Sequence, residues 1–277
     1  MRTSQWLRIS GVLLMATLTS TAFGLAPLGP PTAGLNQGQF RLSGEYAYSE
    51  MDVEIDPPHY VNGTMPDLKS NMVFGNLGYG VMDNWEGYVR LGIANAEFSK
   101  IDWDNDPQDE RYGFDGDYGF AYGFGTKYTF WEQTDDLHWG LLFQMTWIDT
   151  DGSADGTEQS GEGTAFLDRD IELDYYEIQI AVGPTWQATQ SLCVYGGPFL
   201  SFPSGDFDED YRAYAIIDGT LTLVDGPEKH SADLEEESMF GGYVGAQLDV
   251  TEQMTAFAEV MFTSDAWGLG IGAGWVF

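Results

Sequence analysis

Cysteine is almost absent from this chain, since Cys193 is the only one among 277 residues. A single thiol cannot form an intramolecular disulfide, so packing and backbone hydrogen bonds must hold the fold together. Basic residues are also scarce: 11 Lys and Arg stand against 44 Asp and Glu, which gives a net charge of −33. A chain of this charge repels nucleic acid and other polyanions and attracts cations.

Long hydrophobic runs are missing as well. No stretch reaches the roughly 20 apolar residues that a transmembrane helix needs. The N-terminus instead has the order of a secretory signal: Arg2 and Arg8, a short apolar stretch at 9–16, and small residues at 20–24. We expect cleavage after Gly24 (or after Ala22), so that residues 1–24 are a signal peptide. An N-terminal membrane anchor is disfavoured because the apolar stretch is too short.

Aromatic residues and glycine are abundant, at 15% of the chain and 35 residues. The last eleven residues alternate the two types. Gly268, Gly270, Gly272 and Gly274 form one face of this strand, and the other face is apolar: Trp267, Leu269, Ile271, Ala273, Trp275 and Phe277. Lipid against the apolar face and a crowded lumen behind the glycines account for both faces. The strand resembles the C-terminal strand of bacterial outer-membrane β-barrels, which commonly ends in Phe.

A period of two residues recurs through the chain and predicts ten strands of about 9 to 14 residues. They are expected near 39–51, 70–82, 85–98, 117–131, 137–149, 172–187, 191–203, 238–250, 254–264 and 266–277. Short turns alternate with long acidic loops at 52–69, 99–116, 150–171 and 204–237. This order predicts an all-β, antiparallel transmembrane β-barrel of about ten strands (8–12 possible), with short periplasmic turns and long acidic extracellular loops.

The domain organisation follows from that pattern. Residues 39–277 are expected to form the barrel, and residues 25–38, which lack a strand pattern, a periplasmic lead segment. The turn at 81–91 repeats at 250–260, and both resemble the recurring turns of small bacterial outer-membrane barrels of the opacity-like and OmpA-like type. The resemblance implies a monomer that contacts outer-membrane lipid and lipopolysaccharide and reaches the barrel-assembly machinery through its C-terminal strand. A soluble, lipocalin-like barrel with the aromatic face inside is the alternative.

Charged residues also occur on the small-or-polar faces of the expected strands. We predict one inward layer of Glu45, Arg90, Lys127 and Glu259, a second layer of Arg41 and Glu86 nearer the periplasm, and Glu177 farther out. Isolated charges in a narrow lumen are costly, so we expect them to pair. Ten strands enclose little more than a packed interior. A charge-paired plug is therefore favoured over a narrow pore lined by these charges.

The acidic loops allow three interpretations. A solvated, anti-aggregation face is the commonest use of such charge, and adaptation to a saline habitat is the second. The third is divalent-cation binding, for which Asp102, Asp104, Asp106 and Asp109 are the candidates because alternate carboxylates can converge on calcium. An EF-hand needs glycine and glutamate where Pro107 and Gly113 stand. No other cofactor is indicated.

Segment 211–224 reads as a hairpin around Asp218 and Gly219. We expect it outside the membrane, extending the barrel, with a twelve-stranded barrel as the fallback topology. Its apolar residues make it the candidate partner-binding element: Ile216, Ile217, Leu221 and Leu223.

The function predicted from these features is a structural or surface-interaction role in the bacterial outer membrane, with a largely plugged lumen. A narrow, cation-favouring channel is the alternative. Ten strands is also the count of the omptin proteases, which makes an outer-membrane hydrolase the third possibility. His59 and His230 lie in outer loops and His138 lies near a periplasmic turn, but none has a matching motif around it. We therefore expect no enzymatic activity.

Overall fold

A computed structural model of the protein describes residues 25–55, 63–99, 102–103, 114–160, 163–217, 220–235 and 239–277. These residues form thirteen strands: β1 (Phe40–Ile55), β2 (Gly63–Met82), β3 (Trp85–Phe98), β4 (Asp102–Trp103), β5 (Phe114–Gly116), β6 (Gly119–Thr134), β7 (Leu137–Ser160), β8 (Gly163–Gln187), β9 (Leu192–Ile217), β10 (Thr220–Glu235), β11 (Met239–Asp249), β12 (Met254–Phe262) and β13 (Ala266–Val276). No helix in the described ranges is long and apolar enough to cross a membrane.

Ten of these strands close into a ring in which every neighbouring pair is antiparallel. The order is β1, β2, β3, β6, β7, β8, β9, β11, β12 and β13, and the ring closes where β13 pairs with β1. In that closing pair Tyr46 lies opposite Ile271. The prediction of ten antiparallel strands is confirmed. The twelve-stranded fallback is wrong, because β10 pairs with β9 alone and stays outside the ring.

The strands on one side of the barrel are much longer than the sequence indicated. β7, β8 and β9 have 24, 25 and 26 residues, so much of the loops expected at 150–171 and 204–237 is strand. A membrane crossing takes about 9–11 residues, and the outer halves of these strands therefore project beyond the bilayer. The β7–β8 ladder continues without a register shift to Ser160 opposite Gly163. Cross-strand backbone bonds thus satisfy polar groups that the sequence analysis had assigned to loops.

The apolar face of the ring points outward, as the alternation predicted. Exposed large side chains recur on every strand of the ring, among them Leu42, Val73, Leu91, Phe120, Leu141, Ile180, Leu200, Val244, Val260 and Ile271. The C-terminal strand follows the rule along its length, since Trp267, Leu269, Ile271, Trp275 and Phe277 are between 40% and 63% exposed. A soluble barrel would bury this face, so the lipocalin-like alternative is wrong.

The N-terminal segment is the largest departure from the sequence prediction. Residues 25–38 were expected to be a periplasmic lead, but Leu25, Ala26, Leu28 and Leu35 are at most 2% exposed and lie inside the barrel. This placement was not predictable from sequence periodicity, because the segment is neither strand nor helix. Hydrogen bonds to inward-facing side chains of the barrel wall hold it in place.

Candidate functional site

The barrel lumen is occupied by residues 25–35, which we call the luminal segment. Its outer end lies at β13, where Leu25 is next to Gly268, three residues after the outer turn that ends at Asp265. Its periplasmic end leads to Gln37, whose backbone nitrogen donates to Asp83 in a periplasmic turn at 3.0 Å. The luminal segment therefore extends along the height of the barrel before the chain enters β1.

Side chains of the barrel wall accept hydrogen bonds from the backbone of the luminal segment. The two carboxylate oxygens of Glu259 accept from Leu28 N at 2.7 Å and Gly29 N at 2.8 Å. Glu86 Oε2 accepts from Gly34 N at 2.9 Å. Glu259 is only 3% exposed, so in the absence of the luminal segment its charge would lose two donors in a buried place.

Other wall residues donate to the carbonyl groups of the segment. Gln144 Nε2 donates to Ala26 O at 3.3 Å and to Pro27 O at 3.2 Å, and an Arg90 nitrogen also donates to Pro27 O, at 3.3 Å. The segment contains three prolines, at 27, 30 and 31, which have no backbone donor to satisfy. The three prolines thus reduce the number of backbone donors that the lumen must satisfy.

Glycines of the barrel wall leave room for the luminal segment. A Cβ on Gly140 would lie 2.3 Å from Pro31 O, and one on Gly270 would lie 2.9 Å from Pro27 Cγ. The first contact is with backbone, which cannot swing aside. The sequence predicted that the glycines of the last strand line a crowded lumen, and the luminal segment is what crowds it.

The inward charges form two ion pairs. Arg90 pairs with Glu45 and lies 4.7 Å above the Phe74 ring, and Arg41 pairs with Glu86 at 3.0 Å. These are the residues that the sequence analysis assigned to the two layers, and the pairs form within each layer. The side chain of Arg90 is 1% exposed, so its charge depends on Glu45 for compensation.

Lys127 and Glu259 were predicted to join the first layer, and they are held differently. In the β3–β6 ladder Lys127 is the register partner of Glu86, and its ammonium lies 5.7 Å from the Tyr88 ring centroid. Glu259 instead receives the backbone of the luminal segment and the Tyr195 hydroxyl at 3.0 Å. The sequence analysis could not foresee these partners, because the segment that supplies two of them was placed outside the barrel.

Glu177 lies farther out than the two ion pairs and is 2% exposed. Its carboxylate accepts from Ser201 Oγ at 2.5 Å and from the backbone nitrogen of Ala26. Within the described ranges no Lys or Arg side chain comes within ion-pair distance of it. The inward orientation predicted for Glu177 is therefore found, and its partners are the Ser201 hydroxyl, the Gln179 side chain and the luminal segment.

A small cavity remains between the luminal segment and the wall. Its volume is about 60 Å³, and its lining includes Pro27, Gly29, Arg41, Lys127 and Gln247. A space of this size holds a few water molecules at most. Cys193 also faces inward and is buried, where it packs as a small apolar side chain.

The projecting outer sheet carries rows of acids across neighbouring strands. Asp149 lies opposite Asp174, which lies opposite Asp206. Carboxylate oxygens of Asp149, Glu172 and Asp174 lie within 4.8 Å of one another, on exposed side chains. Partial burial and the neighbouring carboxylates of Asp149 and Glu172 raise the pKa of Asp174 above the ordinary value of 3.8. Sequence reasoning missed this group, because Asp149 lies on β7 and the other two members lie on β8.

Several predicted site residues fall outside the described residues. Asp104, Asp106, Asp109 and His59 are among them, and only the backbones of Asp102 and His230 are described. The calcium-type site and the rim histidines therefore remain predictions. Of the hairpin residues, Ile216, Leu221 and Leu223 are exposed, and Leu221 lies opposite Ile216 in the β9–β10 ladder.

Comparisons with known proteins return solved structures only. No family model and no curated relative matches the chain. The similar structures include the translocator domain of autotransporter NalP from Neisseria meningitidis (TM-score 0.48, 9% identity, 87% of this chain and 89% of that one). They also include outer membrane protease OmpT from Escherichia coli (TM-score 0.48, 9% identity, 91% and 99%). An outer membrane channel from Pseudomonas putida F1 is similar too (TM-score 0.41, 14% identity, 91% and 100%).

The geometry of the chain itself defines its class. A closed antiparallel ring with an apolar exterior and a polar interior is a transmembrane β-barrel, because only closure satisfies every strand edge in lipid. An even number of antiparallel strands, an outward apolar band and longer strands at one end of the barrel are features of the outer-membrane type. The protein is a small β-barrel of the bacterial outer membrane.

Proposed function

We propose that this protein is a closed outer-membrane barrel with a structural and surface-interaction role, and that it conducts no solute while the luminal segment is in place. One observation supports this most directly: the segment extends along the lumen and is hydrogen-bonded to Glu259, Glu86 and Gln144. A ten-stranded barrel has little free interior to begin with. The cavity of about 60 Å³ between the segment and the described part of the wall is too small to serve as a channel.

The outer half of the barrel supports the surface-interaction role. β7, β8 and β9 project well beyond the apolar belt, and β10 extends the same sheet. Their exposed residues include Asp151, Asp170, Glu172, Asp206 and Asp208, which favour a solvated sheet over one embedded in lipid. A rigid sheet outside the membrane is the part of the molecule that external partners meet first.

A narrow, cation-favouring channel is the second candidate. The way in which the luminal segment is held favours this candidate. Side-chain hydrogen bonds bind the segment, and residues 25–35 pair with no strand. Such a segment can leave the lumen without opening the barrel wall. Its departure would expose Glu45, Glu86 and Glu259 to the water-filled interior.

Single-channel conductance of the refolded protein in a planar bilayer separates the two candidates. We expect the protein that begins at Leu25 to be silent, and a variant lacking residues 25–35 to conduct in discrete steps. A KCl gradient gives the ion selectivity of that open variant. Steady conductance by the protein with its luminal segment intact would contradict the closed barrel and favour the channel.

A variant that fails to fold would also be silent, so the experiment needs a check on folding and a second variant. The heat-dependent shift in gel migration of folded barrels reports folding of both proteins. Gly140→Ala is the second variant, because its Cβ meets Pro31 O at 2.3 Å and should dislodge the segment from an otherwise intact wall. Gly44→Ala is its control, since the nearest atom to that Cβ is 4.0 Å away.

We further propose that the barrel contacts lipopolysaccharide around its apolar belt and is inserted by the barrel-assembly machinery through β13. The exposed residues Trp275 and Phe277 at the end of β13 support insertion by the assembly machinery. Folding into vesicles that contain purified assembly machinery tests it. We expect faster folding than in vesicles without the machinery, and a smaller acceleration for Phe277→Ala.

A further inference from the structure

We propose that signal cleavage after Gly24 creates the missing partner of Glu177, because the new α-amino group of Leu25 forms a buried ion pair with the Glu177 carboxylate. The outer end of the luminal segment would then be fixed by a charge that exists only in the processed protein. The inference rests on the position of the segment in the lumen, and it does not depend on whether the barrel conducts.

The Leu25 nitrogen lies one residue before a backbone contact with Glu177. Leu25 and Ala26 are both 0% exposed, and the Ala26 nitrogen already donates to the Glu177 carboxylate. Consecutive Cα atoms are about 3.8 Å apart across a trans peptide bond, so the nitrogen of Leu25 can reach the carboxylate that the Ala26 nitrogen contacts. Gln144 holds this end of the segment from the other side through Ala26 O, at 3.3 Å.

The balance of inward charges points to the same partner. Around the luminal segment, four acids face three bases: Glu45, Glu86, Glu177 and Glu259 against Arg41, Arg90 and Lys127. Arg90 and Arg41 are paired with Glu45 and Glu86, and Glu259 receives two backbone donors. Glu177 remains without a cationic partner among the described residues, at 2% exposure. A buried carboxylate without a cation is costly, and one more positive charge at this place removes the cost.

Cleavage supplies that charge at one position only. The nitrogen of Leu25 in a peptide bond is neutral, whereas a free α-amino group is largely protonated at neutral pH. Cleavage after Ala22 would leave Phe23 and Gly24 ahead of Leu25 and carry the charge away from Glu177. The position of the cleavage and the seating of the luminal segment are therefore linked.

The first experiment determines where the processed protein starts and whether its amine is buried. The full precursor is expressed and exported, and the barrel is extracted from the outer membrane in mild detergent. We expect the N-terminal peptide to begin at Leu25 by mass spectrometry. We also expect reductive methylation of its α-amine to be at least about tenfold slower in the folded barrel than in urea, as for a group protected by native structure. A start at Phe23, or equal labelling rates, would overturn the proposal.

The second experiment tests the pair itself with two changes. One is Glu177→Gln, which keeps the shape of the side chain and removes its charge. The other inserts two glycines between Gly24 and Leu25, which displaces the amine from Glu177. Each change alone should lower the urea midpoint of unfolding, and the combination should lower it by less than the sum, because both remove one interaction. Additive losses, or no loss for Glu177→Gln, would contradict the pair.

The same glycine insertion in a Glu259→Gln background is the matched control. Glu259 binds the segment at Leu28 and Gly29, away from the amine. The losses of stability from Glu259→Gln and from the glycine insertion should therefore be closer to additive than those of the Glu177 pair. Slow methylation in a protein that conducts would contradict the proposed closed state and leave the ion pair standing. Fast methylation in a barrel that does not conduct would contradict the ion pair and leave the closed state standing.

Discussion

Glu259 on β12 holds the backbone nitrogen of Leu28 at 2.7 Å, although 231 residues separate them in the chain. This contact joins the first described residues to the last hairpin of the barrel. It makes the luminal segment part of the folded core, since both the donor and the acceptor are buried. The stability of the barrel and the closure of its lumen therefore depend on some of the same residues.

Glu259→Gln should destabilise the barrel by about 1–3 kcal/mol, because the amide group cannot accept from both Leu28 and Gly29. The measurement is urea unfolding in phospholipid vesicles, followed by tryptophan fluorescence. Glu252→Gln in the exposed periplasmic turn is the control and should leave the midpoint unchanged. If the two variants unfold alike, the luminal segment contributes nothing through this carboxylate.

The buried pair of Arg90 and Glu45 should show strong coupling. Either Arg90→Met or Glu45→Gln leaves an uncompensated buried charge, which costs about 3–5 kcal/mol, and the double variant should lose much less than the sum. A double-mutant cycle on unfolding free energies measures this. The exposed contact of Arg212 with Asp170, at 3.4 Å, should couple by no more than about 1 kcal/mol. Additive losses at Arg90 and Glu45 would refute the pair.

Ile271→Arg tests the lipid-facing belt. Ile271 is 55% exposed in the middle of β13, and arginine at mid-membrane in a barrel costs about 2–4 kcal/mol. Leu221→Arg on β10 changes a residue of similar exposure, 59%, outside the ring. We expect folding into vesicles to be weakened by the first change and unaffected by the second. Equal effects would mean that lipid does not contact β13.

Asp174→Asn should stabilise the projecting sheet at neutral pH. The folded-state pKa of Asp174 lies above 3.8, so the sheet loses stability as the pH rises from 3.8 through that folded-state value. Asparagine removes the charge, and the gain should therefore disappear when the pH falls below the ordinary aspartate value. Limited proteolysis of the outer strands across pH measures the effect, with Asp136→Asn in a periplasmic turn as control. If Asp174→Asn still stabilised the sheet in acid, the charge of Asp174 would not be the cause.

The sequence allowed much of the barrel to be predicted. Alternation of Phe120, Tyr122 and Phe124 with Ala121 and Gly123 indicates a strand with one apolar face, and ten such patterns indicate a closed ring. The extent of β7–β9 was not predictable in this way, because acidic strands outside the membrane lack an apolar face. Their register, such as Asp151 opposite Glu172, depends on cross-strand backbone bonds that leave no periodic trace of apolar residues.

Which side chains face inward could be predicted from the sequence, because a strand has a strict two-residue period and a transmembrane barrel must present its apolar face to lipid. It therefore indicated Glu45, Arg90, Glu177 and Glu259 as luminal charges. What those charges bind depends on how distant parts of the chain meet in the fold. The luminal segment has no periodic pattern and few backbone donors. Its place is set by hydrogen bonds to residues far away in the chain, such as Glu86, Gln144 and Glu259, and local sequence does not encode such a relationship.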